Sequence, residues 1–349
     1  MYAAIAFANS RENPDPDIFQ MAKRVEGWGR IHCVERLSKT TDPEIKNWIL
    51  RDGFRNRVMN EYLAYIGATT GGLLDALKQP NPDRELLTAA GEIFSALFSG
   101  GPAETLDDYD QAPTALRLWL EHMATKAELV SDLLAISAAN WFLKHEHSRW
   151  EKRFERGWTS QDRSELQTIS AELLERPEWR AIIDQDLASD DWLKFHQATF
   201  AARGLGYDIF DVLIRKLESK PVDGPWYQAW LLADDSRAPL LAELAERLLD
   251  LDTIATGATD VTGIGPGFEK HEALRWTLQG LKDYPGVGSK LVTTGMQSPS
   301  NMDRRAAIRV LSKWGQESWA PEHQTLLTTI SEQDPADKVR AAAVKLRGQ

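Results

Sequence analysis

Residues 301–346 constrain this chain more than any other stretch, because a building unit is legible there. The segment reads NMDRRAAIRVLSKWG, a break, APEHQTLLTTISEQ, a second break, and DPADKVRAAAVKL. Arg305-Ala306-Ala307-Ile308 through Leu311 aligns with Arg340-Ala341-Ala342-Ala343 through Leu346, an offset of 35 residues. One helical phrase returning at that interval, with a second helix between, is the period of a stacked helix-pair solenoid. The register predicts that Ala307 and Ala342 are buried where successive helices approach closely.

The rest of the chain reads the same way. Asp42-Pro43 is a start signal, an N-cap followed by proline in the first turn. Gly71-Gly72, Pro80-Asn81-Pro82 and Gly100-Gly101 punctuate apolar stretches spaced three and four apart. The spacing predicts helices over about 18–37, 55–66, 86–97, 114–123, 128–144, 160–176, 177–188, 190–204, 208–217, 226–232 and 238–249. The acidic stretch Glu104–Asp110 is expected to be a solvated connection, and 252–267 (DTIATGATDVTGIGPG) a surface loop inserted between helices. No β-branched run alternates for long, so strand signals are nearly absent. The expectation is an all-α fold. A proline-punctuated arm over residues 1–17 would precede a single α-solenoid domain of antiparallel helix pairs over 18–349.

Composition narrows the classes. The 349 residues carry a formal charge of -11, which counts against broad binding to nucleic acid, where Lys and Arg must neutralise phosphate. Cys33 is the single cysteine, so the chain has neither an internal disulfide nor a cysteine-based zinc site. The apolar start, Met1 to Ala8, lacks a basic flank and the length of a signal core, and no stretch approaches a membrane span. A cytoplasmic protein with no membrane contact is the expectation.

The phrase Asp337-Lys338-Val339-Arg340-Ala341-Ala342-Ala343 resembles the inner-helix signature of the HEAT-repeat family. WYQAWLLADDSRAPLLAEL, HEALRWTLQGLKDYPG, MQSPSNMDRRAAIRVLSKWG and the N-terminal GWGRIHCVERL and NEYLAYIGATTGGLL look like a group of bacterial HEAT-like proteins. Some members of that group carry the label limonene hydroxylase. A haem-thiolate enzyme needs a cysteine ligand in a loop beside the haem, whereas Cys33 is placed inside a helix. The resemblance therefore implies a scaffold, and it transfers no catalytic residue.

The familiar chemistry-bearing motifs are absent or misplaced. Gly263-Ile264-Gly265-Pro266-Gly267 follows no strand and lacks Gly-Lys-Ser/Thr, and its proline removes a phosphate-binding donor. His145 and His147, two apart on a helix, point to different faces and suit no shared metal. No cofactor and no metal ligand set is expected. Of thirteen tryptophans, Trp28, Trp48, Trp276 and Trp314 sit at apolar helix positions and are expected in the core, while Trp226, Trp230 and Trp319 lie near helix starts or loops.

The densest polar cluster on apolar helices is N-terminal. Arg30, His32 and Glu35 share a helix with Trp28; Arg55, Asn60 and Tyr62 follow two helices later. His32 and Glu35, three apart, are neighbours on one face. Gly27 and Gly29 flank Trp28 inside an expected helix, where each glycine costs about 1 kcal/mol relative to alanine. Residues 1–66 hold ten Lys/Arg and nine Asp/Glu, net +1, so the remainder carries -12. The seven residues Trp28, Arg30, His32, Glu35, Arg55, Asn60 and Tyr62 are the candidate partner- or ligand-binding set. Arg30, His32, Glu35 and Arg55 are expected to converge on one partly exposed surface. The leading functional expectation is a non-enzymatic scaffold that binds a protein partner. The alternative is an enzyme or small-molecule binder with its pocket at this cluster, and an alkylated-DNA binder is a third.

Overall fold

Short polar side chains set the helix starts. Asp42 Oδ1 accepts from the amides of Glu44 (2.8 Å) and Ile45 (3.2 Å), Asp83 from Leu86 (2.9 Å), Asp191 from Leu193 (2.9 Å) and Ser300 from Asp303 (3.3 Å). Each satisfies an amide that the first helical turn leaves without a partner. The computed structural model describes residues 12–145, 149–222 and 224–348. It is all-helical, with 68% of residues in helix; among the described residues there is no strand, only an isolated bridge between Val261 and Ser300.

The chain divides into two compact units, Met1–Gly206 and Tyr207–Gln349. Within the first, the helices Trp28–Arg36, Glu61–Thr69, Arg84–Ser99, Val130–Lys144 and Trp192–Gly204 pack each against the next as one row. Leu73–Leu77, Ala112–Lys126 and Ser160–Leu174 form a second row against it. In the second unit, Trp226–Trp230, Glu269–Leu281, Asn301–Trp314 and Asp337–Arg347 make one row. Arg237–Leu248, Ser289–Met296 and Pro321–Gln333 make the other. Alternate helices are thus neighbours, as expected where each amphipathic helix buries its stripe against a partner of the other row.

Several expected details differ. The helix predicted over 18–37 is two, Asp15–Ala22 and Trp28–Arg36, because Gly27 adopts φ 59°, a left-handed value that breaks the run. Of the expected arm, residues 1–11 lie outside the described residues and Asp15 already starts a helix. The helix expected over 55–66 begins only at Glu61; before it, the Asn56 side chain accepts from Val58 and Met59 and holds a turn. Ala307 is fully buried but Ala342 only half-buried.

The tryptophan expectation is largely reversed. Trp314 is buried, but Trp28 and Trp276 are exposed and Trp48 is half-buried, whereas Trp226 and Trp230 are core residues. Helical spacing locates a side chain on a face without saying whether another helix covers that face. The buried indoles tie helices together through their one donor: Trp119 Nε1 donates to the Leu87 carbonyl (3.1 Å) and Trp314 Nε1 to that of Leu281 (2.8 Å).

Two connections do more than span. Within the acidic stretch, Asp107 is held by Arg153. The segment 259–263 is fastened to the core: Arg304 donates to the Thr259 carbonyl (2.7 Å), Ser300 to that of Thr262 (2.9 Å) and Arg275 to that of Gly263 (2.8 Å). The stretch expected to be a plain surface loop is anchored by three side chains.

His323, buried as the third residue of the Pro321–Gln333 helix, fixes its own tautomer. Its Nδ1 accepts from the Ala320 amide (3.1 Å), so Nε2–H faces the Ser289 carbonyl (3.2 Å) and Thr293 Oγ1 (3.1 Å). Burial pushes its pKa below the ordinary 6.5. A histidine that is harder to protonate when folded draws protons to the unfolded chain, so stability falls as pH drops below 6.5. The midpoint of urea unfolding should therefore decline on acidification from neutral pH toward the folded-state value. His323→Gln, which can keep the reach back to Ala320, should flatten that decline.

Candidate functional site

The turn over residues 23–27 brings the chain back onto its own next helix, and Arg30 closes it. Arg30 Nε donates to the Val25 carbonyl (3.1 Å), Nη2 to Glu26 (3.1 Å), and Nη1 to the Arg55 carbonyl (3.1 Å) and Asp52 (3.5 Å). Only 7% of Arg30 is exposed. A buried guanidinium with every face engaged is a staple between segments, since its desolvation is offset only by complete pairing. Arg55 extends the chain of charge: its Nε donates to Glu92 (2.6 Å), another nitrogen to the Arg51 carbonyl, and Arg51 pairs with Asp83 (2.7 Å).

His32 and Glu35 form a pair of their own, Nδ1 to Oε2 at 3.1 Å, as their spacing predicts. Among the described residues, no hydrogen bond joins them to the Arg30–Arg55 pair. Arg30 and His32 are two positions apart on one helix, so they leave it on different faces. The expected fourfold convergence is therefore two pairs. Beside His32, the Trp28 ring lies 5.0 Å from Tyr62 and 6.3 Å from the imidazole, and Trp28 is 54% exposed. Trp28, His32, Glu35 and Tyr62 make an open aromatic patch. Cys33, behind them, is buried, and burial raises its thiol pKa, which keeps it from being a thiolate nucleophile.

Asn60 stands apart from both groups. It lines a groove of about 510 Å³ that crosses four successive helices of the first unit's row, from Asn60 and Glu61 to Gln197. The groove face of the Arg84–Ser99 helix presents Thr88, Gly91, Glu92, Ser95 and Ser99, the 3–4 spacing of a single stripe. The facing stripe on the Val130–Lys144 helix is Ser131, Leu134, Ala135 and Ala138. Gly91 is required there: a Cβ would stand 3.0 Å from the Trp119 ring and 3.1 Å from the Ala135 methyl. Small side chains let the two helices and the Trp119 ring pack closely there. Sequence reading passed over these residues because Ser, Ala, Gly and Thr on a helix look like ordinary close packing.

Of the groove's three carboxylates, Glu61, Glu92 and Asp132, the last two are already engaged. Glu92 takes Arg55, while Asp132 pairs with Arg84 and accepts from the Glu128 (2.9 Å) and Leu129 (3.0 Å) amides. Its serines turn inward as well, Ser95 to the Gly91 carbonyl (2.8 Å) and Ser99 to that of Ser95 (3.1 Å). Such a surface offers shape and contact with small side chains. Among the described residues, no cluster of three or more His, Cys, Asp or Glu could hold a metal; residues 146–148, including His147 of the sequence motif, lie outside them. No helix among the described residues is long and apolar enough to cross a membrane.

None of the protein-family models, curated proteins or solved structures compared with this chain matches it.

Proposed function

We propose that the chain is a non-enzymatic HEAT-like scaffold whose first unit takes a protein partner along the groove from Asn60 to Gln197. The observation that carries this reading is the groove's lining. It crosses four helices of one row, with small side chains along the middle two and polar Asn60, Glu61 and Gln197 at its ends, and Glu92 and Asp132 are engaged by Arg55 and Arg84. A groove running across successive helices of one row suits a stacked-repeat binding face, and the 35-residue phrase at residues 305–346 supports the same architecture. Partner side chains would pack on the half-buried Thr88, Ser95 and Ala138, where the small side chains keep the helix surface low.

The test starts with a photo-crosslinker placed at Ser95 in the full chain within its native host, followed by identification of the captured protein. The affinity of that purified protein is then compared between wild type and Thr88→Arg/Ala138→Arg. Both positions are half-buried on the open side of their helices, so melting should change little. Binding should fall by about a hundredfold or more, since two bulky charges would occupy the interface centre. Equal affinity of wild type and the double variant would remove the groove from the proposal.

A further inference from the structure

The second unit carries a groove of a different character. It measures about 410 Å³ and lies between the Glu269–Leu281 and Asn301–Trp314 helices. Its floor is apolar, formed by Leu278, Ala306 and Val310. Its margin is cationic: Arg275, Lys282, Arg305 and Arg309, against the single carboxylate of Glu272. Arg275 is committed elsewhere, donating to Asp303 (2.9 Å) and to the Gly263 carbonyl. Among the described residues Lys282 pairs only with its sequence neighbour Asp283, at 3.9 Å. Arg305 and Arg309 are exposed, and among the described residues neither has an ion-pair or hydrogen-bond partner. They stand one helical turn apart on the same face.

This arrangement is unusual for a chain of net charge -11. Nearly every other arginine near a helix face in the second unit has a carboxylate: Arg237 has Asp208, Arg247 has Glu218, Arg304 has Asp334 and Arg340 has Asp337. Two guanidiniums left open over an apolar trough are suited to carboxylates, which they grip with paired N–H donors.

We propose that this groove binds an acidic peptide segment of a partner protein. Its Asp or Glu side chains pair with Arg305, Arg309 and Lys282, and an apolar side chain between them enters the trough over Ala306. The apolar floor favours a peptide over a nucleic acid strand, whose bases need aromatic platforms along the whole track. Trp276, at the rim, already packs at a tilt against Tyr227 (centroids 5.0 Å). A polyanion long enough to make many phosphate contacts would also meet the acidic remainder of the chain. The site is independent of the Asn60–Gln197 groove, so either proposal can fail alone.

The probes are a rhodamine-labelled peptide of Glu pairs separated by Leu, its Gln-for-Glu counterpart, and a labelled oligothymidylate of equal charge, each titrated into the full chain by fluorescence anisotropy. The acidic peptide should bind, weaken as salt rises through the range where a Debye length shrinks below about 10 Å, and outbind both other probes. Arg305→Gln/Arg309→Gln should weaken it by about tenfold or more, equivalent to about 1.4 kcal/mol. Neither arginine supports the fold, so melting should be unchanged. Met302→Glu, which keeps both arginines and adds a negative charge at the groove wall, should weaken it too. The proposal is overturned if the Gln peptide binds equally, if the oligothymidylate binds more tightly, or if the arginine pair can be replaced without effect.

Discussion

Arg304→Met is expected to destabilise the second unit by about 3–5 kcal/mol, the cost of breaking a buried ion pair from one side. Arg304 and Asp334 are both fully buried, joined at 2.6 and 2.9 Å. The other donors of Arg304 reach the carbonyls of Ser298 (2.7 Å), Pro299 (2.9 Å) and Thr259 (2.7 Å). Methionine fills much of the volume but supplies none of the donors. Three carbonyls and a carboxylate then remain in a dry site, where each unsatisfied group is costly. Asp334 Oδ1 also accepts from the Ala336 amide (2.9 Å), so removing the charge while keeping that acceptor is possible with Asp334→Asn. The double variant Arg304→Met/Asp334→Asn should therefore recover part of the loss, a coupling that urea unfolding of all four combinations would measure. Release of the Thr259 carbonyl adds a second readout, faster proteolysis within 255–267 in the single variant. A single variant that unfolds at the wild-type urea concentration would mean that Arg304 is not the clamp its bonds describe.

Arg304 also shows where sequence reading stops. Arg304 and Arg305 are adjacent, identical in type and equally plausible on an amphipathic helix, yet one is a buried clamp and the other an open cation. The difference depends on Asp334, thirty residues away, and on a loop with no periodicity. Local chemistry was legible: the Asp42 cap, the stop in the Gly71-Gly72 region and the His32–Glu35 pair all follow from spacing within one or two turns. The helix expected over 18–37 splits because Gly27, which the spacing places inside it, takes a positive φ that a helix does not admit. Arg30 and Arg55 do meet, but through the Arg55 backbone carbonyl and Asp52, which side-chain patterning does not reveal. The groove at Thr88–Ala138 stayed hidden for the opposite reason. Its residues carry no chemistry individually, and only the alignment of four helices makes them a surface.

Ala343→Glu should be nearly as damaging as the loss of Arg304, at about 3–5 kcal/mol for an unpaired charge forced into the core, while Ala342→Glu should cost under about 1 kcal/mol. The contrast tests the repeat directly. In the 35-residue register, Arg304 matches Val339, Ile308 matches Ala343 and Leu311 matches Leu346, and all six are buried. Ala307 matches Ala342, and there the two helices part: Ala307 has no exposed surface, whereas Ala342 is half-buried. The phase of the repeat is therefore the same in both helices, and what differs is the cover. The Asn301–Trp314 helix has row neighbours on both flanks, whereas among the described residues no helix follows Asp337–Arg347 in its row. Val339, Ala343 and Leu346 form the face turned to the core, so glutamate at 343 has no route to water short of displacing the helix. Glutamate at 342 can swing outward along the open flank. Thermal melting of the two variants beside wild type decides the matter: a drop of several degrees is expected for Ala343→Glu and little change for Ala342→Glu. Equal, large losses would mean that something covers the flank of the last helix in solution. Equal, negligible losses would mean that the alanine phrase does not face the core and that the repeat has been read in the wrong phase.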